Sequence, residues 1–453
     1  MIRLFRVFIP VSTFTLFLAE TLLTIASFVA AAYLVFDVDP SAYLLYDYGI
    51  VAICVVTAIV LLGFYFIGLY SDVYVKSKVI LLYRLVLVTG LAFLFEGLIS
   101  SVAGQLEVPI RVMLAGSSLS VAVIFAWRLF FSRYAVEMLG NARLLLVGAD
   151  PVLRAVERYV DTHQQSGFRV AGYVREEGAP AGSRNGNTVL GDTGELTRII
   201  QEVKPSRIVV GLRQPASLPF ARLLEDLRYA GQNIEEAADT YENLCGRVWV
   251  RGIQPAELIY TSHFGAPARH LLVQRFSNPV IALLLLVVSL PLLALVWLTL
   301  RFHLSGPVLQ RQRRVGLDNK PFVNYRFRLP PARRSASPGA RQIGFLASIR
   351  RFHLDGLPQL YNVIKGEMAF VGPSPVRPEF SDALSQAIPY YPQRHCARPG
   401  MTGWAQIQDI GPVPDTLSVL EYDLYYIKYM STSLDTLILF QTLRSMLREE
   451  SEA

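Results

Sequence analysis

Four apolar stretches dominate the first third of the chain, near residues 8–36, 45–69, 79–101 and 109–132. Each is long enough for a bilayer core, which takes about 20 helical residues. A backbone in lipid must satisfy its own polar groups, so these runs can only be helices. Their flanks orient them. Arg3 and Arg6 precede the first run. Asp37, Asp39 and Asp47 fill the first loop, which has no Lys or Arg, and Lys76, Lys78 and Arg84 lie around the second. The third loop, "SVAGQLEVP", has no basic residue, and Arg128, Arg133 and Arg143 follow the fourth run. This alternation places the N-terminus, and everything after the fourth helix, on the cytoplasmic side. Glu20, Glu96, Arg84 and Arg128 lie in or near the spans, either on an intramembrane path or as helix–helix pairs and snorkelling residues.

Composition agrees. Of 453 residues, 52% are hydrophobic and 17% charged, against ~25% charged in soluble domains, and mean hydropathy is +0.37. The length suggests roughly three units at about 150 residues each. The net charge of +7 suggests an anionic partner: lipid headgroups, phosphorylated substrates or nucleic acid. Cys54, Cys245 and Cys396 are far apart and unpatterned, which excludes a disulfide framework and a zinc site. The first apolar stretch is too long for a cleavable leader and lacks its small-residue cleavage pattern.

From Asn141 the texture changes. "RLLLVG" (143–148), "FRVAGYV" (168–174) and "RIVVGL" (207–212) read as strands. Between them, 151–165 and 193–204 carry helical patterns, and 176–187 reads as a loop. Strands alternating with helices imply parallel βαβ units in a Rossmann-like α/β domain. Gly148 stands where a dinucleotide fold begins its glycine loop, but the G-x-G-x-x-G spacing is absent. A nucleotide at the helix N-terminus and a regulatory, packing or dimerising role both stay open. The domain is a candidate for pairing two chains.

A fifth apolar run, "PVIALLLLVVSLPLLALVWLTL" (279–300), is also long enough to cross a bilayer. Arg269, His270 and Arg275 precede it; Arg301, Arg311, Arg313 and Arg314 follow. Both ends therefore read as cytoplasmic. Pro291 removes a backbone donor in mid-run. A helix that enters, breaks at Ser289-Leu290-Pro291 and returns to the same face satisfies both facts. A kinked crossing helix is the alternative.

Between Leu309 and Arg351 stand eleven Lys or Arg residues and one acid, Asp318. Anionic lipid accounts for part of this charge. The sharper reading is a diphosphate site, because "RQRR" and "YRFR" offer forked donors to phosphate oxygens. No nucleic-acid recognition motif accompanies the patch, and nucleic acid is not expected.

Four blocks in this region, "SGPVLQRQRRVGLDNKPFVNYRFRL" (305–329), "LDGLPQLYNVIKGEMAFVGPSPVRPEF" (354–380), "RPGMTGWAQI" (398–407) and "EYDLYYIKY" (421–429), resemble the bacterial sugar transferases. These are the polyprenyl-phosphate hexose-1-phosphate transferases that start exopolysaccharide and O-antigen synthesis. The four spans and the middle α/β domain are similar to that family's large form. The resemblance implies a membrane α-helical bundle (1–140), a Rossmann-like α/β domain (141–265) and a mainly α, monotopic catalytic domain (266–453) held by a re-entrant helix at about 279–301. It implies a protein of the bacterial inner membrane with both later domains on the cytoplasmic side. The implied reaction moves a sugar-1-phosphate from a UDP-sugar to polyprenyl (undecaprenyl) phosphate, releasing UMP through a covalent phosphosugar-aspartyl intermediate.

On the matching positions the resemblance makes Asp355 the nucleophile and a ligand for Mg2+. Arg313, Arg314, Arg326, Arg328, Arg377 and Arg398 are the expected phosphate binders, and Glu367 and Glu379 candidate acids for metal or proton work. Four positions depart from the family pattern. Gly356 stands where an acid usually follows the nucleophile. Ser374 replaces the middle arginine of "P-R-P", with Arg377 a candidate substitute. Arg326-Phe327-Arg328-Leu329-Pro330 replaces "K-F-R-S-M", and Ser277 replaces an acid after Arg275-Phe276. These departures also support a second reading, a catalytically impaired relative acting as a membrane scaffold or regulator of polysaccharide assembly. A third, a nucleotide-sugar dehydratase or epimerase, has its Tyr-x-x-x-Lys at Tyr361–Lys365, outside the α/β domain.

Four further readings concern the same region. The segments 398–400 and 402–404 either shape a sugar or nucleotide pocket or simply turn the chain. Tyr422, Tyr425, Tyr426 and Tyr429 read as an interfacial aromatic belt. The segment 434–450 reads as an amphipathic helix, a lid or membrane rest. His353 is not needed as a base, because a carboxylate nucleophile is already ionised near neutral pH.

Overall fold

The computed structural model describes residues 2–4, 7–9, 11–36, 39–46, 48–67, 69–70, 78–102, 104–135, 142–163, 168–176, 189–212, 217–252, 268–303, 306–329, 348–350, 352–408 and 415–448. The chain divides into two compact units, Met1–Leu4 with Phe8–Ala237 and Phe5–Val7 with Ala238–Ala453.

In the first unit the expected spans fold as α1 (Val11–Val35), α3 (Gly49–Phe66), α4 (Lys78–Val102) and α5 (Ile110–Phe130), with a short α2 (Pro40–Tyr46) after α1. Their outward faces keep large apolar side chains exposed, among them Leu22, Leu94, Leu98 and Leu114, as a surface solvated by lipid requires. Inside, small residues let helices approach. A Cβ on Gly116 of α5 would lie 2.4 Å from the Phe28 ring of α1, and one on Gly63 2.5 Å from Val88. The buried charges have partners inside the bundle. Arg128 reaches Glu20 through Nε at 2.6 Å and donates from Nη1 to the Leu69 carbonyl at 2.8 Å. Glu96 accepts the Val108 amide at 2.9 Å.

The same unit contains a parallel sheet of β1 (Ala142–Gly148), β2 (Phe168–Arg175), β3 (Val189–Asp192), β4 (Arg207–Gly211) and β5 (Ile234–Glu236), in the order β3-β2-β1-β4-β5. The connections include α6 (Pro151–Thr162), α7 (Leu196–Val203) and α8 (Leu218–Tyr229). Leu144 to Val147 of the central strand are fully buried, which is why this strand reads as an unbroken apolar run. The two outer strands, short and half exposed, carried no such run. Gly148 has φ +117, and a Cβ there would lie 2.0 Å from the Gly211 carbonyl oxygen, so only glycine fits. Asp150 caps α6, accepting the Val152 amide at 2.8 Å. Most of the expected 176–187 loop lies outside the described residues.

The second unit takes in α9 (Ala237–Cys245) from Ala238 on, a helix the sequence reading grouped with the middle domain. It continues with α10 (Ala268–His303), the hairpin of β6 (Leu309–Val315) and β7 (Pro321–Phe327), and α11 (Leu360–Ile364). The parallel pair β8 (Ala369–Val371) and β9 (Gly400–Thr402) brackets α12 (Pro378–Ala387); α13 (Thr416–Tyr429) and α14 (Thr432–Arg448) close the chain.

The segment expected to break at Ser289 and Pro291 lies within α10, whose helical residues extend from Ala268 to His303 with Pro279 and Pro291 inside; Pro291 removes one backbone donor there. Ser289 Oγ donates to the Leu286 carbonyl at 3.2 Å. The helix lies against its own unit along its length. Gln274 donates to Asp435 at 2.8 Å. Ala282 and Leu286 pack with Phe322, Leu360, Val363 and Met368. Leu292, Val296 and Leu300 pack with Val308, Phe327 and Ile349. The opposite face, including Leu284, Val288 and Phe302, is exposed. Among the described residues five helices are long and apolar enough to cross a membrane, and α10 is one of them.

The tyrosines of α13 are not an interfacial belt. Tyr425 and Tyr426 are buried core residues. The Tyr426 hydroxyl donates to Asp435 at 2.7 Å and the Tyr429 hydroxyl to Glu242 at 2.9 Å. Tyr422 lies under the Arg247 guanidinium. Each hydroxyl or ring has a partner within the unit, a distinction that hydropathy does not carry.

Candidate active site

Asp355 sits on a 3-10 turn, Leu354–Gln359. His353 opens the turn in the left-handed region at φ 49, and its carbonyl accepts the Gly356 amide at 2.9 Å. Two apolar side chains pin the turn. Leu354 joins the cluster around Val296 and Leu300; Leu357 joins the one around Ala282. Both clusters contain α10 residues, so the long helix is the seat of the turn.

The hairpin supplies the facing charge. Register pairs Gln310 with Arg326, Gln312 with Asn324 and Arg314 with Phe322, so Arg314 and Arg326 share one face. On it, Arg326 Nε lies 3.0 Å from Asp355 Oδ2. Its N–H is not aimed along that line, so the contact is a charge attraction rather than a linear hydrogen bond. Polar side chains lock ribbon to turn. Gln359 donates to Asn324 at 3.2 Å. Asn362 accepts the Tyr325 amide at 3.2 Å and donates to the Val323 carbonyl at 2.7 Å.

A third wall comes from the segment Gly372–Arg377. Three glycines bring its backbone against the "RPGMTG" segment. A Cβ on Gly372 would lie 2.2 Å from the Arg398 carbonyl oxygen, one on Gly400 2.2 Å from the Gly372 nitrogen, and one on Gly403 2.3 Å from the Gly372 oxygen. Arg394 then donates to the Ser374 carbonyl at 3.1 Å and Arg314 to the Pro375 carbonyl at 3.1 Å. Val315 donates its amide to Val376 at 2.9 Å. Ser374, in the place of an arginine, is hydrogen-bonded by the Gln406 amide. Arg394 is itself buried against Asp423, at 2.7 Å.

The predicted residues separate cleanly. Arg314, Arg326 and Arg377 come together. Burial, then the charges of Arg377 and Arg326, hold the Arg314 guanidinium below its ordinary pKa. Arg314 Nε is buried without a hydrogen-bond partner among the described residues. Arg313 points to the other face of the ribbon by strand alternation. Arg328 is exposed beyond the strand end. Burial, then the charge of Arg275, lowers the Arg398 guanidinium. Glu367 is engaged by Asn362 at 2.7 Å, and Glu379 is exposed in the first turn of α12. Lys365, at the C-terminal cap of α11, holds its Nζ 4.7 Å over the Tyr361 ring of that helix. Asn324, Gln359 and Gln406 had no sequence signal beyond their place in the blocks, and Arg394 lies outside all four.

Beside this pair lies a cavity of about 560 Å3. Arg326, Gly356 and Gln359 form part of its wall, with Leu285 and Ser289 of α10, Gln406, and Leu439 and Met446 of α14. Gly356 is buried, and a Cβ there would meet only the Gln359 Oε1, at 3.1 Å. Among the described residues no three His, Cys, Asp or Glu side chains gather as a metal cage. A single carboxylate, Asp355, still suits magnesium, which is commonly bound by one or two carboxylates together with substrate phosphates.

The family model for bacterial sugar transferases matches residues 269–449. An Aeromonas hydrophila UDP-N-acetylgalactosamine-undecaprenyl-phosphate N-acetylgalactosaminephosphotransferase is 38% identical over 160 residues, 33% of this chain and 37% of that protein. A Xanthomonas campestris UDP-glucose:undecaprenyl-phosphate glucose-1-phosphate transferase is 25% identical over 329 residues, 69% of this chain and 68% of that protein. An uncharacterized sugar transferase of Bacillus subtilis is 35% identical over 156 residues, 33% of this chain and 75% of that protein. The matched region holds Asp355, its arginines and the cavity, and the chain belongs to the bacterial sugar transferase family.

Proposed function

We propose that this chain is a phosphoglycosyltransferase that moves a sugar-1-phosphate from a UDP-sugar to undecaprenyl phosphate. The observation that carries the reading is Asp355 facing Arg326, which forms part of a cavity wall together with Gly356, the residue after Asp355, with Arg314 and Arg377 near Arg326. The relatives with named activity use a UDP-sugar and undecaprenyl phosphate.

An Asp355 oxygen attacks the sugar-bearing phosphorus. The bond from that phosphorus to the bridging oxygen of the diphosphate breaks, and UMP leaves with that oxygen. An oxygen of the lipid phosphate then attacks the same phosphorus. The acyl-phosphate bond breaks, the carboxylate is restored, and the sugar leaves on a lipid diphosphate. Splitting one hard displacement into two is the gain of covalent catalysis. The arginine forks bind the equatorial oxygens as charge redistributes. Asp355 and the diphosphate oxygens would hold Mg2+, which neutralises phosphate charge when bound.

We further propose that α10 does not cross the bilayer. Its two ends and its middle rest on one unit, while its exposed apolar face lies in one leaflet. Such a seat puts Asp355 at headgroup depth, where a soluble nucleotide sugar meets a lipid phosphate. Both large domains then lie on the cytoplasmic side of the inner membrane, in keeping with the loop charges. The domain limits 1–140, 141–265 and 266–453, and pairing of two chains through the α/β domain, belong to the same proposal.

The test is a panel of radiolabelled UDP-sugars with undecaprenyl phosphate and Mg2+ against the purified full chain. UMP release with one sugar, abolished by Asp355→Asn, is the expected result. Release with none, while the protein still binds UDP-sugar, would favour the scaffold reading raised by Gly356.

A further inference from the structure

We infer that the cavity beside Asp355 is the seat of the lipid acceptor: Leu285 and Ser289 of α10 with Leu439 and Met446 of α14 enclose the phosphate-proximal isoprene units, and Arg326 meets the phosphate. The inference rests on the activity proposed above and divides the two substrates between two sides of one carboxylate.

Four observations carry it. Most of the lining away from Arg326 is apolar, including Phe352, Leu357, Phe370 and Ile407. Among the described residues Arg326 is the sole guanidinium in the wall, suited to one phosphate rather than to the two of a nucleotide sugar. The other clustered arginines, Arg314 and Arg377, lie outside the lining and are left for the diphosphate. Finally, the cavity borders the apolar face of α10: Leu284 and Val288 are exposed next to the lining residues Leu285 and Ser289. An isoprenoid entering from the leaflet therefore stays in apolar surroundings until its phosphate reaches Arg326. Gly356 fits this use, since it leaves bare backbone in the wall beside Asp355.

The two halves of the reaction separate the outcomes. Trapping labelled sugar on the protein, with one equivalent of UMP released, needs no lipid. Leu439→Trp and Met446→Trp fill the cavity from α14. They are expected to trap label within twofold of the parent, while KM for undecaprenyl phosphate rises about tenfold or more, the scale of one ill-fitting apolar group in a pocket. Leu443→Trp, on an exposed position of α14 outside the lining, serves as the control, and Leu439→Phe is a milder filling should tryptophan impair folding. Equal loss of trapping and transfer would hand the cavity to the nucleotide sugar and overturn the inference; unchanged lipid KM in both variants would also overturn it. Native mass spectrometry with undecaprenyl phosphate reads lipid binding directly, so a protein that binds lipid through the cavity but traps no sugar would fault the covalent mechanism alone.

Discussion

Arg326 holds its guanidinium 3.0 Å from the Asp355 carboxylate, strand against 3-10 turn, with Asp355 mostly buried and Arg326 open to the cavity. The pair sets a nucleophile and a phosphate-binding fork on adjacent rigid elements. Asp355→Asn is expected to lower turnover at least a thousandfold, about 4 kcal/mol at 1.36 kcal/mol per tenfold. Arg326→Lys keeps the charge and loses the fork; a ten- to hundredfold fall in kcat/KM is expected, or about 1.4–2.7 kcal/mol. Steady-state UMP release measures both.

Gly356→Glu tests the missing second acid. The added Cβ lies 3.1 Å from Oε1 of Gln359, a buried side chain that also holds Asn324, so the protein is expected to fold with a melting temperature a few degrees below that of the parent. The new carboxylate is expected to lower the Mg2+ concentration that gives half-maximal turnover. A magnesium titration of initial rates decides, and an unchanged midpoint would show that position 356 does not govern metal use.

The Arg394–Asp423 pair, with 4% and 3% of its side chains exposed, anchors the Ser374 carbonyl. Arg394→Met strands a buried carboxylate and is expected to cost about 3–5 kcal/mol, whereas a double change to matched apolar residues costs much less. Thermal melting of the single and double variants reads this difference directly.

Burial pushes the Glu421 carboxyl up to about 7 against the partial opposition of Arg247. The folded protein therefore holds this proton more tightly than the unfolded chain does. The corresponding stability is full below the ordinary carboxylate range and is lost as pH rises through about 7. His395 acts oppositely: burial and then Arg394 lower it to about 4, so its contribution is lost as pH falls from about 6.5 toward 4. Glu421→Gln removes only the first effect. Its melting temperature is expected to gain on the parent as pH rises from 5 to 8, and parallel melting curves would refute the assignment.

Hydropathy along the chain was enough to place α1, α3, α4 and α5 within a few residues, because a bilayer leaves a long apolar run no other ordered state. It also revealed the inner strands β1, β2 and β4, of which β1 carries the fully buried run. The four motif blocks pointed to Asp355 and to the set of arginines. What sequence could not do was sort that set. Strand alternation sends Arg313 away from Arg314, and only the fold brings Arg377 to them across some sixty residues. Nor could it see that Tyr425 and Tyr426 are core residues, that α10 continues through Pro291, or that α14 walls a cavity with α10. Those facts depend on which distant side chains meet. Periodicity is a local property of the chain, and the meeting is settled by packing.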